Sequence, residues 1–219
     1  MQEAQEVKAE GLTRSIGNFT RFLEAVSFSH GAQLNISAVA RECEVERKVV
    51  TGYVAILEDL LLAFRLPVFR RRAKRATVTH EKIYLFDAGV FRSLRPKGPL
   101  DRPEEIDGQA LEGLVAQHLR AWAAYSRYDM DVFFWRTRGG TEVDFVVYGE
   151  LGLHAFEVKN AGRVYSSDLR ALRAFREDYP EAEAALLYRG GERLRIDGVW
   201  CLPVQEFLCG IVPDRGLLT

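Results

Sequence analysis

The chain has 219 residues, 47% hydrophobic and 28% charged, enough for one large globular domain or two smaller ones with their own cores. No apolar run reaches the length of a membrane span, and Met1-Gln2-Glu3-Ala4-Gln5-Glu6 lacks a signal peptide's apolar core, which argues for a cytoplasmic protein away from membranes. Three cysteines (Cys43, Cys201, Cys209) and four scattered histidines show no paired ligand spacing, which argues against a secreted disulfide framework and against a zinc site. The formal net charge of −1 hides an asymmetry: residues 1–103 carry 17 Lys+Arg against 12 Asp+Glu, and residues 104–219 carry 13 against 19. A basic front and an acidic back suggest two modules, the first meeting a polyanion.

Residues 1–10 read as a polar helical lead-in, as in a piece of something longer. Leu12, Ile16, Phe19, Phe22, Leu23 and Val26 recur at helical spacing and predict an amphipathic helix ending near His30-Gly31. A short second helix is expected over Asn35–Cys43 and a third from Glu46 to about Leu61. In the third, Val50, Tyr53, Val54, Leu57, Leu60 and Leu61 form the buried stripe, leaving Arg47, Lys48 and Thr51 open. Phe64–Phe69, the basic run Arg70, Arg71, Arg72, Ala73, Lys74, Arg75, and strand-like Lys82–Phe86 then predict a hairpin with a basic tip.

Three helices followed by a hairpin is the order of a winged helix-turn-helix domain, here residues 1–95. In that fold the third helix enters the DNA major groove and the wing touches phosphates. Arg47, Lys48 and Thr51 are then candidate base-contacting residues, and Arg70, Arg71, Arg72, Lys74 and Arg75 candidate phosphate contacts. The alternative is a structural winged helix whose arginines merely solvate a hairpin tip. Asp87–Arg95 reads as a connector, and the Pro/Gly-rich stretch that follows as a linker over 96–107.

The second module, 108–219, begins with a helix from Gly108 to about Tyr125, with Glu112 on the flank of its apolar stripe. Strands are expected at Val132–Arg136, Gly139–Tyr148, Leu153–Lys159, Ala184–Tyr188 and Val199–Leu202. Helices are expected from Leu169 to about Asp178 and from Val204 to Cys209. This order implies a mixed central sheet with helices on both faces. Trp122, Trp135 and Trp200 sit in apolar patterns and read as core.

Gly139–Tyr148 and Leu153–Lys159 alternate at period two around Gly149-Glu150-Leu151-Gly152, which predicts a β-hairpin turning between Glu150 and Leu151. That register sets Phe145 opposite Phe156 and Val143 opposite Val158 on one face, and Asp144 opposite Glu157 on the other, with Lys159 two residues along. Opposed carboxylates repel. Two carboxylates flanking a small gap are also what Mg²⁺ takes, with waters and a phosphate oxygen completing the shell. The blander alternative is an exposed Glu157–Lys159 ion pair of little energetic weight.

Asp144, then Glu157-Val158-Lys159 on the next strand, with Glu112 on the preceding helix, resembles the PD-(D/E)XK phosphodiesterase superfamily over roughly residues 108–205. The resemblance implies Mg²⁺ or Mn²⁺ held by Asp144, Glu157 and the Val158 carbonyl, a catalytic Lys159, and a supporting Glu112. Val143 stands where a proline often precedes the aspartate.

The whole chain also resembles the C-terminal region of bacterial and archaeal AAA-type ATPases. The resemblance rests on Gly11-Leu12-Thr13-Arg14, Phe19–Leu23, Ile56–Asp59, Phe64–Pro67, Asp87–Val90, Glu142–Phe145 and Glu157–Lys159. It implies an ATPase domain as partner, in the same polypeptide or in another. The chain has no Walker-type G-x-x-x-x-G-K-[ST], so no ATP site of that kind is expected in it. The two functions in view are a metal-dependent nuclease and a catalytically silent DNA- or partner-binding module.

Overall fold

The computed structural model describes residues 2–218, with side chains from Ser15 onward; the expected stripe position Leu12 lies outside those side chains. The first half runs α1 (Gln2–Ser27), β1 (Ala32–Gln33), α2 (Ile36–Glu42), α3 (Arg47–Asp59), β2 (Ala63–Leu66), β3 (Lys82–Leu85) and α4 (Ala88–Leu94). Its three strands form an antiparallel sheet in the order β1-β3-β2. Phe22, Val26, Val50, Val54, Leu57, Ile83 and Phe91 build one core between helices and sheet. Asn35 starts α2 by accepting the Ala38 N–H, and Asp87 starts α4 by accepting the N–H groups of Gly89 and Val90.

Several expectations are corrected here. The stretch Asp87–Arg95 is not a bare connector, because the Asp87 cap nucleates a helix that buries Phe91. The third helix stops at Asp59, and Leu61 takes a positive φ of 59° as the chain reverses. Leu60 and Leu61 therefore leave the stripe and stand 61% and 77% exposed. Ile16 is exposed as well.

The second half runs α5 (Pro103–Tyr125), β4 (Met130–Arg136), β5 (Glu142–Gly149), β6 (Gly152–Lys159), a 3-10 turn (Ser166–Leu169), α6 (Arg170–Asp178), β7 (Glu183–Tyr188), β8 (Leu194–Ile196), β9 (Val199–Pro203) and α7 (Val204–Gly210). Helix α5 begins earlier than expected, at a proline that suits the first helical turn. The sheet order is β4-β5-β6-β7-β9-β8. β6, β7 and β9 are parallel neighbours, and the other pairings are antiparallel. Leu111, Val115, Leu119 and Phe207 of α5 and α7 cover one face with Phe145, Val147 and Phe156. Leu172 and Phe175 of α6 cover the other with Val143, Val146, Ala155 and Leu186. Helices on both faces of a mixed sheet is the arrangement expected. Trp122 and Trp135 are core, whereas Trp200 is 42% exposed and stacks with Arg195 at the β8–β9 edge.

The halves are joined along a broad seam. Phe64, Leu66, Val68 and Tyr84 of the first half enter the core under α5. The connection from β2 to β3 lies along strand β4: the Phe69 N–H donates to the Phe134 carbonyl (2.7 Å), the Phe134 N–H to that of Pro67 (3.0 Å), and the Val78 N–H to that of Arg136 (3.0 Å). This covers a sheet edge that would otherwise present unpaired backbone groups. Phe69 is buried among Trp135, Phe175 and Tyr179, which anchors the connection on the second half.

Candidate functional site

The β5–β6 hairpin has the expected register, with a two-residue Glu150-Leu151 turn, Gly149 opposite Gly152 and Phe145 opposite Phe156. Beyond Phe145 the ladder stops. β6 continues in parallel pairing with β7 through Glu157, Val158 and Lys159. The Asp144 side chain fills the gap, its Oδ2 accepting the Val158 N–H at 2.8 Å. On the other flank, Phe133 pairs with Val146 but Trp135 pairs with Val143, so β5 carries one extra residue there. Such a bulge bends a strand and re-aims side chains. Expectations are corrected here: Asp144 does not pair with Glu157 nor Val143 with Val158, and Val143 and Phe145 do not share a face, since Phe145 enters the core under α5 and Val143 the core under α6.

The hairpin, α5 and β3 meet at this bulge. The Lys159 ammonium lies 3.6 Å from Glu157 Oε1. Glu157 Oε2 is buried with no hydrogen-bond partner among the described residues. Glu112, on α5, accepts a 2.5 Å hydrogen bond from the Tyr84 hydroxyl. At the centre is a residue that sequence reasoning missed. Lys82, the first residue of β3, is 2% exposed, and its ammonium lies 3.0 Å from Glu112 Oε1, 2.6 Å from Glu142 Oε1 and 3.9 Å from Asp144 Oδ1. Arg136 holds the other Glu142 oxygen at 3.1 Å. The available signal was a strand, Lys82-Ile83-Tyr84-Leu85, that is buried at every position, so its lysine had to find internal partners.

The charges are lopsided. Glu112, Glu142, Asp144 and Glu157 face Lys82, Arg136 and Lys159, four carboxylates against three cations. Burial, and then the Glu112 charge, push the Asp144 carboxyl up to about 7, against the opposing pull of Lys82 and the Val158 N–H. Burial and Asp144 hold Glu157 well above the usual carboxylate range. Burial alone would lower Lys82, but Tyr84, Glu112, Asp144 and Glu142 outweigh it and keep the ammonium charged. Shifts of this kind mark places where a bound positive charge is favoured.

Among the described residues no group of three or more His, Cys, Asp or Glu side chains converges as a metal-holding set. The donor chemistry nevertheless suits a hard divalent cation. Asp144 and Glu157 supply two carboxylates, the number such an ion commonly takes from a protein, and the unpartnered Glu157 Oε2 is a ready oxygen donor. A cavity of about 440 Å³ lined by Glu112, Val158, Gln109, Ile106, Arg95 and Arg102 opens beside these residues.

The candidate nucleic-acid residues lie elsewhere. Arg47, Lys48 and Thr51 are exposed on α3, Thr51 donating only to the Arg47 carbonyl of its own helix at 3.0 Å. Those of the β2–β3 connection are mostly engaged within the molecule. Arg70 donates to the Val78 carbonyl, Arg71 lies over the Tyr148 ring, and Lys74 reaches the Glu177 carbonyl. Arg75 pairs with Glu177 at 2.6 Å and with Asp178 at 3.3 Å. Arg72 is exposed at a positive φ of 52°.

No curated protein matches the chain. Residues 4–101 match the family model of a domain of unknown function, DUF8612. Residues 107–207, which hold Glu112, Asp144, Glu157 and Lys159, match that of a second domain of unknown function, DUF4143. The chain is thus similar to one domain of unknown function from residue 4 to just before α5, and to another from within α5 into α7.

Proposed function

We propose that the chain binds DNA through a winged helix and carries a metal-dependent phosphodiesterase site of the PD-(D/E)XK type, working beside an AAA-type ATPase domain. The observation that carries this reading is the convergence of Asp144, Glu157 and Lys159 where β5 and β6 part, with Glu112 reaching the same acidic cluster from α5. The β1-β3-β2 sheet behind three helices supports the winged-helix assignment. DUF4143 is common in ATPase-associated proteins, which supports the partner.

In this reading Asp144, Glu157 and the Val158 carbonyl hold Mg²⁺ or Mn²⁺. A cation there would polarise a phosphodiester and acidify a bound water. The chain's own part is to position and to neutralise. Lys159 orients the attacking water and offsets charge developing on the phosphoryl oxygens. The Val158 N–H fixes the Asp144 carboxylate, and Glu112 anchors the α5 side of the cleft. Exposed Arg47, Lys48 and Thr51 of α3 meet the duplex, with Arg72 the least engaged cation of the connection. The test is supercoiled plasmid incubated with Mg²⁺ or Mn²⁺: wild type nicks it, while Asp144→Ala and Lys159→Ala do not. Intact plasmid across several metals and substrates would remove the nuclease reading.

One observation favours a silent binding module instead. The Lys82 ammonium already supplies positive charge to Glu112 and Asp144. Such a module would show salt-dependent DNA binding with no turnover in any metal.

A further inference from the structure

We propose that Lys82 is the built-in counter-cation of the candidate metal site and competes with a divalent cation for its carboxylates. This rests on the reading of Asp144 and Glu157 as a metal site and adds a residue that reading did not contain.

The argument starts with where the lysine comes from. Lys82 belongs to the small sheet of the first half, where it pairs with Leu66 of β2 and Gln33 of β1. Its side chain crosses the seam and ends among carboxylates of α5 and β5, all from the second half. Tyr84, two residues along on the same side of β3, crosses with it and donates to Glu112. The ammonium also lies 5.4 Å from the centre of the Phe134 ring, so an aromatic face and three carboxylates surround it.

A buried ammonium persists only with such compensation, and buried carboxylates persist only with a cation nearby. Two positive charges close together at Asp144 would repel in the low-dielectric seam. Entry of a divalent cation at Asp144 and Glu157 therefore displaces Lys82 from Asp144 or binds against its repulsion. Glu142 is the natural holder of the displaced ammonium. It is the nearest of the three carboxylates to Lys82, and it has no part in the proposed metal set. The strength of metal binding is then set by how firmly β3 is seated, which couples the first half to the site in the second.

The experiment is Mn²⁺ titration of wild type and Lys82→Met, followed by calorimetry and by the Mn²⁺ electron paramagnetic resonance signal, with Asp144→Ala as control in each background. Lys82→Met keeps the length of the side chain and removes its charge. The expected result is Asp144-dependent Mn²⁺ binding at least ten times tighter in Lys82→Met than in wild type. Detectable binding in Lys82→Met alone also supports the proposal, and shows that wild type holds its site shut rather than loaded. Equal or weaker binding in Lys82→Met overturns the proposal while leaving the metal reading standing if wild type binds through Asp144. No binding in either protein overturns both.

Hydrogen exchange on wild type gives an answer should Lys82→Met not fold. Saturating Mn²⁺ is expected to speed exchange of the β3 amides, residues 82–85, relative to those of β7. Unchanged or slowed exchange at β3 while Mn²⁺ is bound through Asp144 overturns the competition.

Discussion

Two groups of basic residues in the first half meet opposite fates. Arg47 and Lys48 on α3 stand exposed, their side chains without a partner among the described residues. Lys82, Arg70, Arg71 and Arg75, from the β2–β3 hairpin, are turned onto protein partners, and all but Arg70 reach across to the second half. A basic run in sequence is thus no measure of free positive charge in space. The apolar residues beside the run decide. Val68 and Phe69 belong to the cores of the second half, so Arg71 is carried over Tyr148 of β5 and Arg75 onto α6, while Arg72 stays in solvent. Helix α3 has no such neighbour on its outer face.

The contrast is broken most strongly at Lys82. Lys82→Ala strips the cation from Glu112, Glu142 and Asp144, and in chelator it should destabilise the protein by about 3–5 kcal/mol, read by urea unfolding. A loss below 1 kcal/mol would mean the ammonium is not seated among these carboxylates. Phe69→Ala empties a buried aromatic site on the seam and should likewise cost about 3–5 kcal/mol. It should also speed hydrogen exchange at β4, whose edge the connection covers.

His30 sharpens the seam through pH. It is 1% exposed, stacked on Phe91 at 4.1 Å, and its Nδ1 accepts the Leu85 N–H. Burial lowers its pKa to about 4, with the Gln109 backbone beside the ring working the other way. The folded value lies below the unfolded value of 6.5, so the unfolded chain takes up the proton first as pH falls. The His30 contribution is complete above pH 6.5 and is lost as pH falls from there through 4, by about 3 kcal/mol in all. His30→Phe should flatten that part of the stability–pH curve; an unchanged slope would contradict a neutral, buried imidazole.

The outer basic residues should do least to stability. Arg75→Ala leaves the buried Asp178 carboxylate without its cation and should cost about 1–3 kcal/mol, less than Lys82→Ala. Arg47→Ala with Lys48→Ala should change stability by less than about 0.5 kcal/mol while reducing the salt slope of DNA binding by about 2. The reverse pattern, with DNA binding lost in Arg75→Ala and kept in the α3 double variant, would move the DNA-facing surface from α3 to the connection.

Much of this site was legible in the sequence, because its information is local. Alternation on either side of Gly149–Gly152 fixes the turn and hence the register that brings Asp144 close to Val158 and Glu157. The stripe of α5 orients Glu112. What could not be read depends on partners distant in sequence. Lys82 lies 30 residues from Glu112 and in a different sheet from Glu142 and Asp144, so its role exists only once the halves dock. The bulge at Asp144 reflects the fit of β5 against β4, and period-two reasoning has no term for an extra residue. Helix α4 was missed because Gly89 hides a helix that the Asp87 cap starts. The two-residue β1 and three-residue β8 are too short to show any alternation.

The central claim, that Asp144 and Glu157 form a divalent-cation site, is tested most directly by calorimetric titration of Mg²⁺ and Mn²⁺ into wild type and Asp144→Ala. The account predicts binding to a single site in wild type, tighter for Mn²⁺, and none in Asp144→Ala despite an unchanged fold. Identical heats with and without Asp144, in wild type and again in the Lys82→Met background, would contradict it.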